Sequence, residues 1–245
     1  MIMENPYENF QHVKHYQIDG DYYDFFSPDK FMHQEIRRRY QEFFHLFHLE
    51  KQHNILEIGS GGGFALSELQ KSQPRFFPLD IPVGNLKKIR DGAYSPTFPC
   101  CADAYQLPFR AQSFDLIILA EVIEHLREPG QVLKEVFVLL KKGGKVLISV
   151  PYREKISFQI CVHCNRPTPT HSHFHSFDQT SLTDLISSAG FTPLKISKNC
   201  NKVLNRLHFN MLTKNLPFPL WKVIDRIFNG LIDKPISLIL LCTRP

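Results

Sequence analysis

From Asn54 onward the chain alternates short apolar runs with amphipathic stretches. "NILEI" (54–58), "RFFPLD" (75–80), "SFDLIILA" (113–120), "KVLISVP" (145–151), "FTPLKIS" (191–197) and "SLILLCT" (237–243) read as strands. "SFDLIILA" is apolar almost throughout, the character of a strand buried on both faces. Helices are predicted between them, at "GFALSELQKS", "GNLKKIRD", "GQVLKEVFVLLKK" and "DQTSLTDLISSAG". In the third, Val132, Leu133, Val136, Leu139 and Leu140 share one side, and Gly143-Gly144 is expected to stop it. Strand–helix units repeated at this spacing predict an α/β protein with a parallel, doubly wound sheet.

Two segments stand outside this alternation. Residues 1–50 read as an N-terminal helical extension, because Phe31, Ile36, Tyr40, Phe43, Phe44 and Phe47 fall at mostly helical spacings. Residues 51–245 form the main domain, with a helical insertion at 201–234. "PLWKVIDRIFNGLIDK" sets Leu220, Trp221, Ile224, Ile227, Phe228 and Leu231 along one face, and residues 202–234 carry six Lys/Arg against two Asp. A basic amphipathic segment of this kind packs as a lid on its own domain or rests peripherally on a membrane. The N-terminal helix and the Trp221 helix are both candidates for a dimer contact, so monomer and homodimer are both open.

Composition narrows the class. With 43% hydrophobic and 22% charged residues over 245 positions, a sizeable core is expected. A net charge of +5 permits an anionic substrate or surface but falls short of a dedicated nucleic-acid binder. "MIMENPYENF" lacks a signal-peptide apolar core and no apolar run is long enough to span a bilayer, so a cytoplasmic location with reduced thiols is expected.

The most informative stretch is "ILEIGSGGGFAL". A strand ends at Glu57-Ile58, and a turn rich in glycine (Gly59, Gly61, Gly62, Gly63) leads into a helix. Glycines let backbone approach a ligand, and the helix start offers free N–H groups. The acid directly before the loop would repel a pyrophosphate and attract a cationic ligand. A sulfonium compound, S-adenosylmethionine, fits that polarity.

At this point the chain resembles the class I S-adenosylmethionine-dependent methyltransferases, over roughly residues 50–195. The resemblance implies a Rossmann-like, doubly wound, mostly parallel seven-stranded sheet with helices on both faces. "LEIGSGGG" is similar to the family's first motif and implicates Glu57, Gly59, Ser60, Gly61 and Gly63 in cofactor binding. Asp80, with Ile81, falls where the family places an acid on the ribose hydroxyls. "CADAYQLPF" resembles the third motif, with Asp103 and Ala104 at the adenine, and Ala120 closes the fourth strand.

Two further clusters carry chemistry. "EVIEHL" holds Glu121, Glu124 and His125 at the end of the fourth strand, where this fold opens its active site. It resembles the metal motif of small-RNA 2′-O-methyltransferases and ubiquinone-pathway O-methyltransferases, which implies Mg²⁺ held by these residues, with His175 of His-x-Phe as a further ligand. The same motif also occurs in members that use no metal, where His125 serves as a base or substrate contact. The second cluster is "CVHCNRPTPTHSHFHSF", a metal-capable loop within 151–177. There Cys161 and Cys164 with His171, His173 and His175 offer tetrahedral ligands for a structural Zn²⁺, a pattern similar to an insertion in some bacterial members.

Three functions follow from these readings. The leading one is O-methylation of a small-molecule acceptor by SN2 transfer, with Glu121, Glu124 and His125 as the catalytic set. The others are a metal-dependent RNA ribose 2′-O-methyltransferase and a non-catalytic cofactor-binding regulator.

Overall fold

The computed structural model describes residues 10–245 except 71, 94, 95, 163 and 164. Two helices come first, α1 (His12–Tyr22) and α2 (Lys30–Leu46). The alternating part follows as β1 (Asn54–Ile58), α3 (Leu66–Leu69), β2 (Arg75–Asp80), α4 (Val83–Asp91), β3 (Cys100–Cys101) and β4 (Phe114–Ala120). Then come α5 (Pro129–Leu139) and β5 (Leu140–Pro151). A hairpin of β6 (Phe158–Ile160) and β7 (Pro167–Pro169) precedes α6 (Gln179–Ser188) and β8 (Thr192–Asn201). Three helices, α7 (Lys202–Arg206), α8 (Phe209–Leu212) and α9 (Phe218–Leu231), lead to β9 (Pro235–Thr243).

The seven-stranded sheet runs β3-β2-β1-β4-β5-β9-β8. Its strands are parallel except β9, which is antiparallel to both β5 and β8. The α/β, doubly wound, mostly parallel architecture expected from the sequence is therefore present. The period-2 alternation of the strands divides the core between the sheet's two faces. Leu56, Ile117, Leu119, Val146 and Ile148 pack with α5 and α6 through Val132, Leu133, Val136, Leu182 and Ile186. Ile55, Leu116, Ile118 and Leu147 face the other way, onto Tyr40 and Phe43 of α2 and Ile89 of α4. Chain order reverses between β1 and β4, which opens a crevice at the carboxyl ends of those strands.

Local differences from the sequence reading have identifiable causes. Helix α5 ends at Leu139, ahead of the glycine pair, because Leu140 turns extended, pairs with Phe114 of β4 and is fully buried. Gly143, at φ +75°, lies within β5 where its register against β4 shifts between Leu140 and Lys145. The helix after the glycine loop shrinks to four residues.

Helix α9 departs most from expectation. Its buried side is Trp221, Lys222, Asp225 and Asn229, while Leu220, Val223, Ile227 and Leu231 point outward. The polar side is buried because partners wait there. Lys222 Nζ lies 3.2 Å from Glu42 of α2 and donates to Ser197 Oγ at 2.9 Å and the Lys198 carbonyl at 3.0 Å. Asp225 Oδ1 accepts from the Asn201 N–H at 3.1 Å, and Asn229 Oδ1 accepts from Asn201 Nδ2 at 2.9 Å. The Trp221 indole donates to Asn210 at 3.1 Å, under the Arg38 guanidinium.

This network predicts a stability effect. Lys222→Ala leaves Glu42 and Asp225 buried without their cation and should cost about 3–5 kcal/mol in urea unfolding, the range for breaking a buried ion pair. A loss below about 1 kcal/mol, typical of an exposed pair, would mean that the network is not what holds α9.

Candidate active site

The crevice is built from three loop–strand junctions and roofed by α1. In the glycine loop, Gly59, Gly61 and Gly63 all have positive φ, at +71°, +48° and +68°. At Gly59 there is no room for a side chain either, since a Cβ would stand 2.7 Å from Val122 Cγ2. At Gly63 a Cβ would meet Ile89 of α4 at 2.8 Å, so the loop is seated tightly on that helix. The Gly59 and Ser60 N–H groups donate to the Leu79 carbonyl, at 2.9 and 3.1 Å. Asp80 then clamps the turn: its carboxylate accepts from the Gly61 N–H at 2.7 Å and from its own neighbour Ile81 at 2.8 Å.

Beneath the loop lies Glu57, fully buried, whose Oε1 accepts from the Tyr40 hydroxyl of α2 at 2.5 Å. Burial pushes its carboxyl up to about 8, against the lowering effect of that hydrogen bond. Above the loop is a cavity of about 230 Å³ lined by Gly59, Gly61, Asp80, Ile81, Asp103 and Ala104 among the residues named from sequence. Glu57, Ser60, Gly63 and Ala120 do not line it. Ser60 is buried, and Ala120 packs against the core beneath the sheet.

The roof was not anticipated. His12, Tyr16 and Asp19 of α1 line the same cavity, His12 Nε2 lies 2.7 Å from Asp103 Oδ2, and Gly20 rests so closely on α4 that a Cβ would overlap Pro82. Helix α1 buries no residue completely and its two aliphatics, Val13 and Ile18, form no stripe, so hydrophobic periodicity passes over it. The available signal was the 12, 16, 19/20 spacing, which puts an imidazole, a phenol, a carboxylate and a glycine on one helical face. Asp19, Asp80, Asp103 and Glu121 give the cavity an acidic wall suited to a cationic ligand.

The far wall carries the E-x-x-E-H residues. Glu121, in the left-handed region at φ +56°, accepts from Ser149 Oγ at 2.8 Å and lies 3.4 Å from Arg39 of α2. Glu124 is fully buried with both carboxyl oxygens lacking a hydrogen-bond partner, and burial with the neighbouring Glu121 pushes its pKa well above the usual range. Burial and the adjacent His173 push His125 down to about 3, so its ring is neutral, and its Nδ1 has no partner. The His125 and His173 rings stand 4.5 Å apart, and His173 Nδ1 is hydrogen-bonded to Glu154.

Glu124, His125 and His173 each offer a ligand atom within 4.8 Å of the others. The two metal-capable clusters of the sequence thus meet through His173. Glu121 does not join this trio, His171 stays 6.0 Å from His173 ring to ring, and His175 Nε2 is held by the Leu126 carbonyl at 2.8 Å. Cys161 sits past β6 at the hairpin tip, while the histidines follow β7 at its base, which separates the two halves of the expected zinc set. Cys164, the other half of C-x-x-C, lies outside the described residues.

With this geometry in place, likeness to known proteins becomes interpretable. The sequence profile of the family described as "Methyltransferase domain" matches residues 29–196. The chain belongs to that family. Its sheet order and glycine loop are those of the class I, S-adenosylmethionine-dependent methyltransferases. A probable S-adenosylmethionine-dependent methyltransferase of Mycolicibacterium smegmatis is 29% identical over 56% of this chain and 51% of its own. A ubiquinone biosynthesis O-methyltransferase of Coxiella burnetii is 25% identical over 60% of this chain and 67% of its own. The chain spans about half the length of the Mycolicibacterium relative. Among solved structures, a Haloferax volcanii putative methyltransferase complexed with the Trm112 activator aligns at TM-score 0.64 with 18% identity, covering 89% of this chain and 92% of that one. A Burkholderia thailandensis 1,6-didemethyltoxoflavin-N1-methyltransferase, solved with S-adenosylhomocysteine, aligns at 0.60 with 16% identity, covering 94% and 84%. These two show likeness of fold.

The environment of Glu57 predicts a pH effect in the ligand-free protein. Its folded pKa of about 8 lies above the ordinary 4.5, so the folded state binds this proton more tightly. The contribution is complete below the ordinary value and is lost as pH rises through 8. Glu57→Gln keeps the shape and an acceptor for Tyr40 but does not titrate. Chemical denaturation across pH 5–8.5 should show a flatter stability curve for the variant. Curves of equal slope would place the titration elsewhere.

Proposed function

We propose that the chain transfers the methyl group of S-adenosylmethionine to an oxygen of a small-molecule acceptor. The observation that carries this reading is the cavity itself: an acid-lined crevice over a glycine turn, with Glu121 and His125 on its far wall. In this reading Gly59 and Gly61 let the ligand approach the backbone, Asp80 meets its ribose hydroxyls, and Asp103 with Ala104 meets its adenine. Glu57 supports the loop from below and acts through the loop's shape. In the reaction an acceptor oxygen attacks the methyl carbon, the C–S bond breaks, and its electron pair stays on sulfur as the cofactor becomes a neutral thioether. The acceptor's hydroxyl proton passes to the Glu121 carboxylate on the cavity wall and from there to solvent. Alignment of oxygen, carbon and sulfur supplies most of the rate, which suits a rigid loop on a packed sheet. The name of the Coxiella relative supports an oxygen acceptor.

We further propose a divalent cation at Glu124, His125 and His173. The fit rests on three buried orphan atoms, the two Glu124 oxygens and His125 Nδ1, and on Glu154, which holds His173 through Nδ1 and leaves Nε2 for a ligand bond. Two imidazoles with one carboxylate suit Zn²⁺ better than Mg²⁺, which prefers oxygen and water. When bound, such an ion supplies Lewis-acid polarisation of the acceptor hydroxyl. Binding would draw a proton from Glu124, so uptake strengthens as pH rises.

The test is transfer of labelled methyl from S-adenosylmethionine into small-molecule, lipid, protein and RNA fractions. Label in the small-molecule fraction, stable to amine-selective chemistry, is expected; ribonuclease-sensitive label would favour ribose, and no label would favour a regulatory role. His173→Ala should lower zinc affinity by about 10- to 100-fold or more while leaving S-adenosylmethionine binding intact. Unchanged zinc binding would remove the cation site without touching the methyl-transfer reading.

A further inference from the structure

The outward face of α9 has no use in methyl transfer, and its composition is unusual for a surface. Leu220, Val223, Ile227 and Leu231 recur at helical spacing and are 57%, 56%, 55% and 76% exposed. Isolated exposed aliphatics are ordinary, but an aligned stripe on one helix marks a contact site. The helix cannot roll to hide it, because its opposite face is fixed by Lys222, Asp225 and Asn229 in the buried network with α2 and β8. The fold thus spends buried polar groups to hold an apolar stripe in solvent.

The charge of the segment that carries the stripe points to what covers it, with Arg226 on α9 itself. Lys202, Arg206, Lys214, Arg226 and Lys234 are all exposed. The two acids of the same segment are already engaged: Asp225 is buried beside Lys222, and Asp233 is paired with Lys198 at 2.5 Å. An aliphatic strip with basic surroundings and no free acid is complementary to an anionic lipid surface, where apolar side chains enter the headgroup boundary and cations meet lipid phosphates. A second copy of this chain fits less well, since a two-fold contact through the same face would bring two copies of one basic segment together, Arg226 of each α9 included.

We infer that α9 docks the enzyme onto an anionic bilayer, lying in the plane of the interface. No helix among the described residues is long and apolar enough to cross a membrane, so the contact is peripheral. The α7–α9 connection leaves β8 at Asn201 and re-enters β9 at Pro235, residues that pair with each other at the end of the sheet where β5 finishes. Docking through α9 therefore holds that carboxyl end, and the crevice it carries, close to the lipid. This inference does not depend on the acceptor or on the cation.

The test is co-sedimentation of the full chain with vesicles of phosphatidylcholine alone and of phosphatidylcholine containing about a third phosphatidylglycerol, a proportion set to give the surface a strong negative potential. Binding to the anionic vesicles only is expected, weakening as salt shortens the screening length. Ile227→Glu should reduce the partition by roughly tenfold or more, since it removes one inserted aliphatic and adds a repelled charge. Arg226→Glu should reduce it by roughly fivefold or more. Both sites are exposed, so circular dichroism and S-adenosylmethionine binding should match the parent and confirm the fold. Parent protein left in the supernatant with anionic vesicles, or binding indifferent to Ile227→Glu, would overturn the inference. So would a dimer in light scattering that Ile227→Glu dissociates while vesicle binding is absent, which would assign the stripe to a second copy.

Discussion

A buried carboxyl group has to be satisfied directly before a turn that must stay open to a ligand, and the structure is organised around that requirement. Glu57 cannot reach water, and the loop above it is backbone seated on Val122 and Ile89. Helix α2 supplies the answer with the Tyr40 hydroxyl. Once α2 is pinned there, its neighbouring residues reach three other parts of the molecule. Arg39 goes to Glu121, Glu42 to Lys222 of α9, and Arg38 to the Thr213 and Leu216 carbonyls before α9. One helical turn therefore couples the cofactor loop, the acids past β4 and the insertion at the sheet edge.

The same economy explains the uneven polarity of the site. Glu57 and Glu124 are fully buried and His125 is largely enclosed, and in each case burial favours the neutral form. The acids on the cavity wall receive more support: burial raises Asp80 too, but two backbone N–H groups oppose it, and Asp103 takes the Tyr105 N–H with His12 beside it. Support from below is neutral and attraction from the wall is negative, an arrangement that draws in a cation without burying an uncompensated charge.

Much of this was legible in the sequence because it rests on local rules. Strand alternation and the acid-glycine turn are readable from spacing, and the strands, their parallel order and the family follow. What stayed hidden depends on long-range pairing. Periodicity marked α9 as amphipathic but left open which way it faces and grouped the buried Trp221 with the exposed Leu220, Ile227 and Leu231, since the partners that bury Lys222 and Asn229 sit on α2 and β8, far away in sequence. Helix α1 escaped because it contributes polar groups to a cavity and no large apolar face. The loop histidines looked equivalent as His171, His173 and His175. Only the fold shows that His173 meets Glu124 and His125 while His175 is spent on the Leu126 carbonyl.

On the proposed function, α1 and the glycine loop form two walls of one S-adenosylmethionine site. Amide hydrogen exchange of the protein, with and without S-adenosylmethionine, tests it directly. Ligand addition is expected to slow exchange in two separated stretches together, residues 12–22 and residues 59–63. Binding that protects the loop while α1 exchanges as before would contradict it, because the helix would then be a bystander and the site would be open on that side.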